Sequence, residues 1–297
     1  SGVTVADGTA GVNNGTAIKN SEITGADYYL GSDGNWYAKA KEQAYNSGYK
    51  YSDTTTVKMS SANSEKYFKV EPIVWRVLKD ADGKYMLLAE KLLTANVPYY
   101  GSISSRTLST NTIYPNNYKY SNIRAFLNGI NNQFVTDGGT AGTDDKDWSG
   151  KGFLQQAFTT TLQAKIAETT VDNSAASTED SGHSLNPATD YACEDTTDKI
   201  FLLSEKEATE SEYGFAAYDA AGSGNSRIRK PTDYAKANCC YTIENTNTAY
   251  GGWWWLRSPY YYNCNYAHCG GGDGYANEYE YVYNTNDGLL PALFVTK

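Results

Sequence analysis

Apolar residues fall into short, separated blocks along this chain, and the period inside each block predicts its element. Ile73-Val74-Trp75-Arg76-Val77-Leu78 and Tyr85-Met86-Leu87-Leu88-Ala89 are strand-like runs. Asp80-Ala81-Asp82-Gly83 between them is a turn sequence, so the pair reads as a hairpin. Over 120–128 the apolar residues Ile123, Phe126 and Leu127, with Ile130 beyond, keep helical spacing behind Ser121 or Asn122 as cap. A second helical stretch is expected over 153–166, with Phe158, Leu162 and Ile166 on one face. Ile200-Phe201-Leu202-Leu203 predicts a short buried strand, and Ser204 with Glu207 makes a capping box that opens a helix. Nearer the N-terminus, Asn35 to Tyr45 reads as one helix, with Asn35 as cap and Gly48 just past its end.

Long irregular segments at 100–119, 136–150, 168–198 and 214–231 separate these blocks. Such a layout predicts a small regular core of the α+β class with function carried on loops, or else long surface insertions. Residues 1–64 are polar and read as an N-terminal extension or subdomain with one helix, and 65–297 as the main domain. Two function classes lose ground on composition. A net charge of −9 opposes nucleic-acid binding, which needs a basic field, and acidic surfaces commonly serve solubility. No run of 18 apolar residues exists, so no membrane-spanning helix is expected.

One stretch breaks the pattern. Residues 260–283 hold eight of the 27 tyrosines and four glycines, without a single Lys, Arg, Leu, Ile, Phe, Met, Trp or Pro. Tyr, Asn and Gly together are the composition of binding loops, where Tyr supplies large amphipathic contact area at low entropy cost. The run Gly270-Gly271-Gly272-Asp273-Gly274 is expected to turn the chain, with positive φ open to several positions. Beyond it, period two puts Tyr275, Asn277, Tyr279, Tyr281 and Tyr283 on one face of a strand. Before it, Tyr260, Tyr262, Cys264, Tyr266 and His268 share one parity. Ala267, Ala276 and Val282 suit inward anchors, over a fixed core of Trp253, Trp254, Trp255, Leu289, Leu293 and Phe294. The candidate ligand-binding residues are therefore Tyr260, Tyr261, Tyr262, Asn263, Asn265, Tyr266, His268, Tyr275, Asn277, Tyr279, Tyr281 and Tyr283. The plainer alternative is that these rings are core, but eight buried phenols would each need a hydrogen-bond partner.

Catalytic chemistry finds little to use. Only His183 and His268 offer an imidazole, and zinc lacks ligands. The five cysteines show no Cys-x-x-Cys spacing; a Cys264–Cys269 bridge and a pairing of Cys193 with Cys239 or Cys240 stay open. Asp144, Asp145 and Asp147 make calcium the one cofactor candidate, although the calcium-loop spacing is missing. Arg257 beside Trp255 is expected to stack or pair in the core.

Four blocks together carry a resemblance: Tyr67-Phe68-Lys69-Val70-Glu71-Pro72-Ile73-Val74-Trp75-Arg76-Val77-Leu78, Tyr120 through Asn128, Ile200 through Ser204, and an ending that runs from Trp254-Trp255-Leu256-Arg257-Ser258-Pro259 to Gly288-Leu289-Leu290-Pro291-Ala292-Leu293. They resemble a bacterial family with a C-type-lectin-like fold related to the formylglycine-generating enzymes, some of whose members are variable proteins of diversity-generating retroelements. The resemblance covers about 65–297 and departs at Leu290, where the family ending commonly has Arg. It implies a C-type-lectin-like fold with small antiparallel sheets, a few helices and long loops. It further implies a non-catalytic receptor or adhesin at the bacterial surface or on a phage, recognising a protein or other macromolecule through a region that retroelement copying diversifies. Of the 24 residues in 260–283, 22 are types with codons ending in a pyrimidine, as adenine-directed copying of Asn codons would leave; Glu278 and Glu280 are the exceptions. The alternatives are an enzyme of the formylglycine-generating type or a fixed lectin.

Overall fold

The computed structural model describes residues 23–178, 189–218, 220–222, 225–243, 250–276 and 278–297; His183 and Asn277 lie outside the described residues. In chain order the first half contains β1 (Tyr29–Leu30), β2 (Trp36–Lys41), β3 (Glu65–Lys69), β4 (Trp75–Ala81), β5 (Lys84–Ala89), β6 (Arg106–Leu108), β7 (Asn111–Ile113), α1 (Asn122–Asn128) and α2 (Gln133–Thr136). The second half follows with α3 (Phe153–Ala157), α4 (Thr160–Gln163), β8 (Ile166–Ala167), β9 (Thr169–Val171), β10 (Thr196–Asp198), β11 (Ile200–Phe201), α5 (Glu205–Ala208), α6 (Asp233–Ala237), β12 (Trp254–Pro259), β13 (Tyr266–Gly270), β14 (Glu278–Tyr281) and β15 (Ala292–Thr296). This is a mixed α+β chain of small antiparallel sheets, six short helices and long loops among the described residues. No helix among them is long and apolar enough to cross a membrane.

The C-terminal strand organises the main sheet. β15 lies between β5 and β11, giving the order β11-β15-β5-β4, and β8 also pairs with it. Ala292 sits opposite Leu88 and Leu293 opposite Leu87, so the Pro-Ala-Leu ending is a central strand of the core. The predicted hairpin forms as β4 and β5, turning at Asp82-Gly83, with both turn residues at positive φ. The Tyr120–Asn128 block forms α1, whose cap Ser121 accepts from the amide of Arg124. Its polar residues are buried but matched, as burial of such groups requires. Arg124 pairs with Asp198 at 2.8 Å, and Asn128 donates to the Ile200 carbonyl at 2.8 Å. The Ser204–Glu207 capping box opens α5 as the sequence predicts.

β12 is buried on both faces, and its alternate residues feed two core clusters. Trp255 joins Tyr99, Val282, Leu289 and Leu293 on one side. Trp254 and Leu256 join Leu88, Leu290 and Ala292 on the other. Leu290 is fully buried among apolar neighbours, so the site where the resembled ending has Arg is apolar packing here.

Two helix expectations fail for physical reasons. Residues 36–41 are a strand, because Ala38 and Ala40 alternate with Lys39 and Lys41 and the segment pairs with β3 over five residues. Good helix formers are overridden by that tertiary pairing. Asn35 is no cap; its side chain donates to Asp33 at 2.7 Å inside the turn that precedes β2. Over 153–166 the chain makes two short helices broken at Phe158, which has extended backbone. Leu162 is exposed and Ile166 is buried in β8, so the three do not share a helix face.

Candidate binding surface

The Tyr-rich stretch builds most of a three-stranded sheet, β12-β13-β14, in which β13 is central and the flanking strand β12 is buried throughout. Register between β13 and β14 sets Tyr266 opposite Tyr281, Ala267 opposite Glu280, His268 opposite Tyr279, and Cys269 opposite Glu278. Because side chains alternate across a strand, Tyr266, Tyr279 and Tyr281 share one face and Ala267 and Cys269 the other. On the inward face Ala267, Cys269, Ala276 and Val282 are all inaccessible to solvent, while Glu278 and Glu280, which the register places there too, are half-buried. The three small anchors named from the sequence are thus all inside.

The opposite face is aromatic and open. Tyr262, Tyr279, Tyr281 and Tyr283 are exposed, by 77%, 42%, 36% and 45%. Their rings belong to one continuous run. Tyr261 meets Tyr262 edge-on at 5.6 Å and Tyr260 at 5.0 Å. Tyr260 stacks on Tyr279 at 4.0 Å, Tyr279 meets Tyr266 at 5.3 Å, Tyr266 meets Tyr281 at 4.3 Å, and Tyr281 stacks on Tyr283 at 5.0 Å. Seven tyrosines from both sides of the glycine turn therefore form one patch. Asn263 and Asn265 lie half-buried in the loop between Tyr262 and Tyr266. Tyr275 stands on the glycine turn, outside the run of touching rings.

His268 departs from the displayed set. Its parity matches Tyr266, yet it is 4% exposed, beneath the Tyr260 ring at 5.4 Å. Burial holds its pKa down at about 4, while the hydrogen bond with the Glu278 backbone acts in the other direction; Nε2 lies 3.3 Å from the Glu205 carboxylate. Burial prevails, because one backbone hydrogen bond does not replace the lost hydration of an imidazolium.

The glycine turn is tighter than its composition suggests. Gly274 alone in the turn takes positive φ, at 95°. Gly270 is needed for close approach, since a Cβ there would lie 2.3 Å from the Trp254 indole. At Gly272 a Cβ would lie 2.5 Å from the Gly251 carbonyl oxygen. These glycines are packing positions, inside the window but not displayed.

Two residues that the sequence did not single out hold the surface in place. Asn116, fully buried, donates to the Tyr266 carbonyl at 3.0 Å and pins the 260–266 loop. Arg227, also fully buried, donates Nε to the Gly274 carbonyl at 2.7 Å and Nη2 to Ala217 at 2.6 Å. Both come from irregular segments, where no periodicity flags a residue, and their neighbours Asn117, Arg229 and Lys230 are polar too, so nothing in the sequence singles them out. Arg257 does pair in the core: it donates to Leu202 and Asp172 carbonyls and to Glu207.

Two phenols of the patch, Tyr260 and Tyr266, are held neutral across the physiological range. Burial, then neighbouring Tyr279, pushes Tyr260 up to about 12. The hydrogen bond with Tyr281 does the same for Tyr266, also to about 12. With no Lys or Arg in 260–283, the face is uncharged, aromatic and rich in hydroxyls.

The remaining chemistry does not gather. All five cysteines are free thiols, so neither expected bridge forms. Cys269 faces inward with Ala267, whereas Cys264 lies in the loop against Asn265, which separates the pair. Of the calcium candidates, Asp145 binds Arg106 and Asp147 accepts from Ser149. Among the described residues no three acidic, His or Cys side chains are grouped to hold a metal.

The family model of DUF6273, a domain of unknown function, matches residues 82–297. The chain belongs to this family. Its match takes in β5, α1, the whole tyrosine sheet and the C-terminal strand. No curated protein and no solved structure matches the chain.

Proposed function

We propose that the chain is a non-catalytic binding protein that recognises a macromolecular ligand, most simply a protein, through the tyrosine face of β13 and β14. The observation that carries this reading is the joined run of seven rings, four of them exposed, on a sheet whose other face anchors Ala267, Cys269 and Val282 in the core. An aromatic patch of this kind marks an interaction site more often than idle surface. Tyr anchors supply most of the energy in such contacts. The lack of basic residues in the patch disfavours polyanions as ligands.

The finer part of the proposal is that the face is diversified by a retroelement, and that the protein works outside the cell, at a bacterial surface or on a phage. The sheet suits that use: Ala267, Ala276, Val282 and the packed glycines set the backbone, and the outward side chains can change around them. An enzyme of the formylglycine-generating type is disfavoured by its thiols. Cys269 is buried and its thiol is pushed well above its ordinary value, and Cys264 lies apart from it. Sequencing the 3′ end of the gene in sibling isolates tests the proposal. Changes concentrated at 260–268 and 275–283 and sparing 267, 276 and 282 support it; uniform or absent variation there overturns the diversification reading.

A further inference from the structure

A second surface lies away from the tyrosine sheet. A cleft of about 990 Å³ opens between the β1-β2-β3 sheet and the main body, at the upper end of the size of ligand pockets. Along one side runs the segment from Val70 to Val74, which joins β3 to β4 outside any strand, turn or bend. Pro72 fixes its own φ and holds Glu71 to extended backbone. Val70 donates its amide to the Trp36 carbonyl, and Val74 accepts from the Glu90 amide. Between them the amides of Glu71 and Ile73 have no backbone partner among the described residues. Val70 and Val74 are 42% and 69% exposed, high for valines beside a cleft.

The charge of the cleft runs against that of the chain. Lys69, Lys91 and Lys230 line it, all exposed, and none meets a carboxylate among the described residues. Two of the acids in the lining are already engaged: Glu90 with Arg76 and Arg229, and Asp233 with the Ser52 amide and hydroxyl. Three lysines outside any ion pair among the described residues thus line the cleft beside an open run of backbone, with Asp27 and Glu71 as its remaining acids, on a protein of net charge −9.

We propose that this cleft binds an extended acidic peptide segment of a partner protein, laid beside 70–74 by strand addition. Backbone bonds to Glu71 and Ile73 would set its direction, as in other cases of strand addition. Its carboxylates would meet the three lysines, and its apolar side chains would cover Val70 and Val74. Glu71 asks for a neutral residue opposite itself. The proposal is independent of the tyrosine face.

The test uses the full chain and a fluorescein-labelled eight-residue peptide of alternating Glu and Val, read by anisotropy at low and at physiological salt. Binding is expected to weaken with salt and to fall at least tenfold in the Lys69→Gln/Lys91→Gln/Lys230→Gln variant. N-methylation of alternate peptide amides should abolish it, and Tyr281→Ser should leave it unchanged. Equal binding of the Gln-for-Glu peptide, or an unaltered affinity in the triple variant, overturns the proposal. Loss of binding on Tyr281→Ser, or preference for an acidic polysaccharide over the peptide, also overturns it.

Discussion

Tyr281 and Val282 are chain neighbours on opposite faces of one strand end, and substituting each by Ser separates display from support. Val282 is fully buried against Trp255, Leu289 and Leu293. Its replacement deletes two buried methyl groups, about 1.6 kcal/mol in transfer alone, and leaves a cavity. It also buries a hydroxyl at a cost of about 1–3 kcal/mol. The sum is roughly 3–4 kcal/mol. Tyr281 is 36% exposed and gives up two ring contacts, with Tyr266 and Tyr283. Exposed cross-strand pairs contribute about 0.2–1 kcal/mol each, so the loss is about 1 kcal/mol. At about 2–4 °C per kcal/mol for a chain of this order, Val282→Ser should lower Tm by about 6–16 °C and Tyr281→Ser by about 2–4 °C. Thermal melts and urea curves on both proteins check this. Equal losses, or a larger loss at Tyr281, would refute the assignment of the two faces.

Three more outcomes follow from the buried charges. Arg257→Met should cost about 3–5 kcal/mol by urea denaturation, because it strands Glu207 and the carbonyls of Leu202 and Asp172; Arg257→Lys should not restore the fork geometry. His268, held down at about 4 from 6.5, lets the unfolded chain take up a proton first, so stability should fall as pH drops from about 6.5 to about 4. His268→Gln should flatten that part of a pH series of urea midpoints. Asp287 is fully buried, neither carboxylate oxygen has a partner among the described residues, and burial pushes its pKa well above the usual range. A raised folded pKa means stability present at low pH and lost as pH rises. Asp287→Asn should therefore be more stable than the parent at neutral pH, with the gap closing towards pH 4; an unchanged midpoint at neutral pH would show that the carboxylate has a partner.

Local signals were legible where the code is local. The Asp82-Gly83 hairpin, the Ser121 cap and the Ser204–Glu207 box need only neighbouring residues, and each forms as expected. The inward anchors of the tyrosine sheet were legible because period two survives in 275–283. What failed was decided at long range. Residues 36–41 become a strand only because β3 lies beside them, some 25 residues on in the chain. His268 follows the right parity but meets Glu205 and Tyr260 from above, which no strand pattern encodes. The glycine run looked permissive by composition, yet Trp254 and the Gly251 carbonyl make two of its positions obligatory. Asn116 and Arg227 act through carbonyls of distant loops, and side chain-to-backbone bonds of that span leave no mark in a sequence.

The most direct measurement is a folded-fraction count from two surface-display libraries, scored by a conformation-sensitive protease. One library randomises 262, 266, 279, 281 and 283; the other randomises 267, 269, 276 and 282. If the tyrosine face is an exchangeable binding surface on a fixed frame, most clones of the first library stay resistant and nearly all of the second are cleaved. Comparable losses in the two libraries would contradict it.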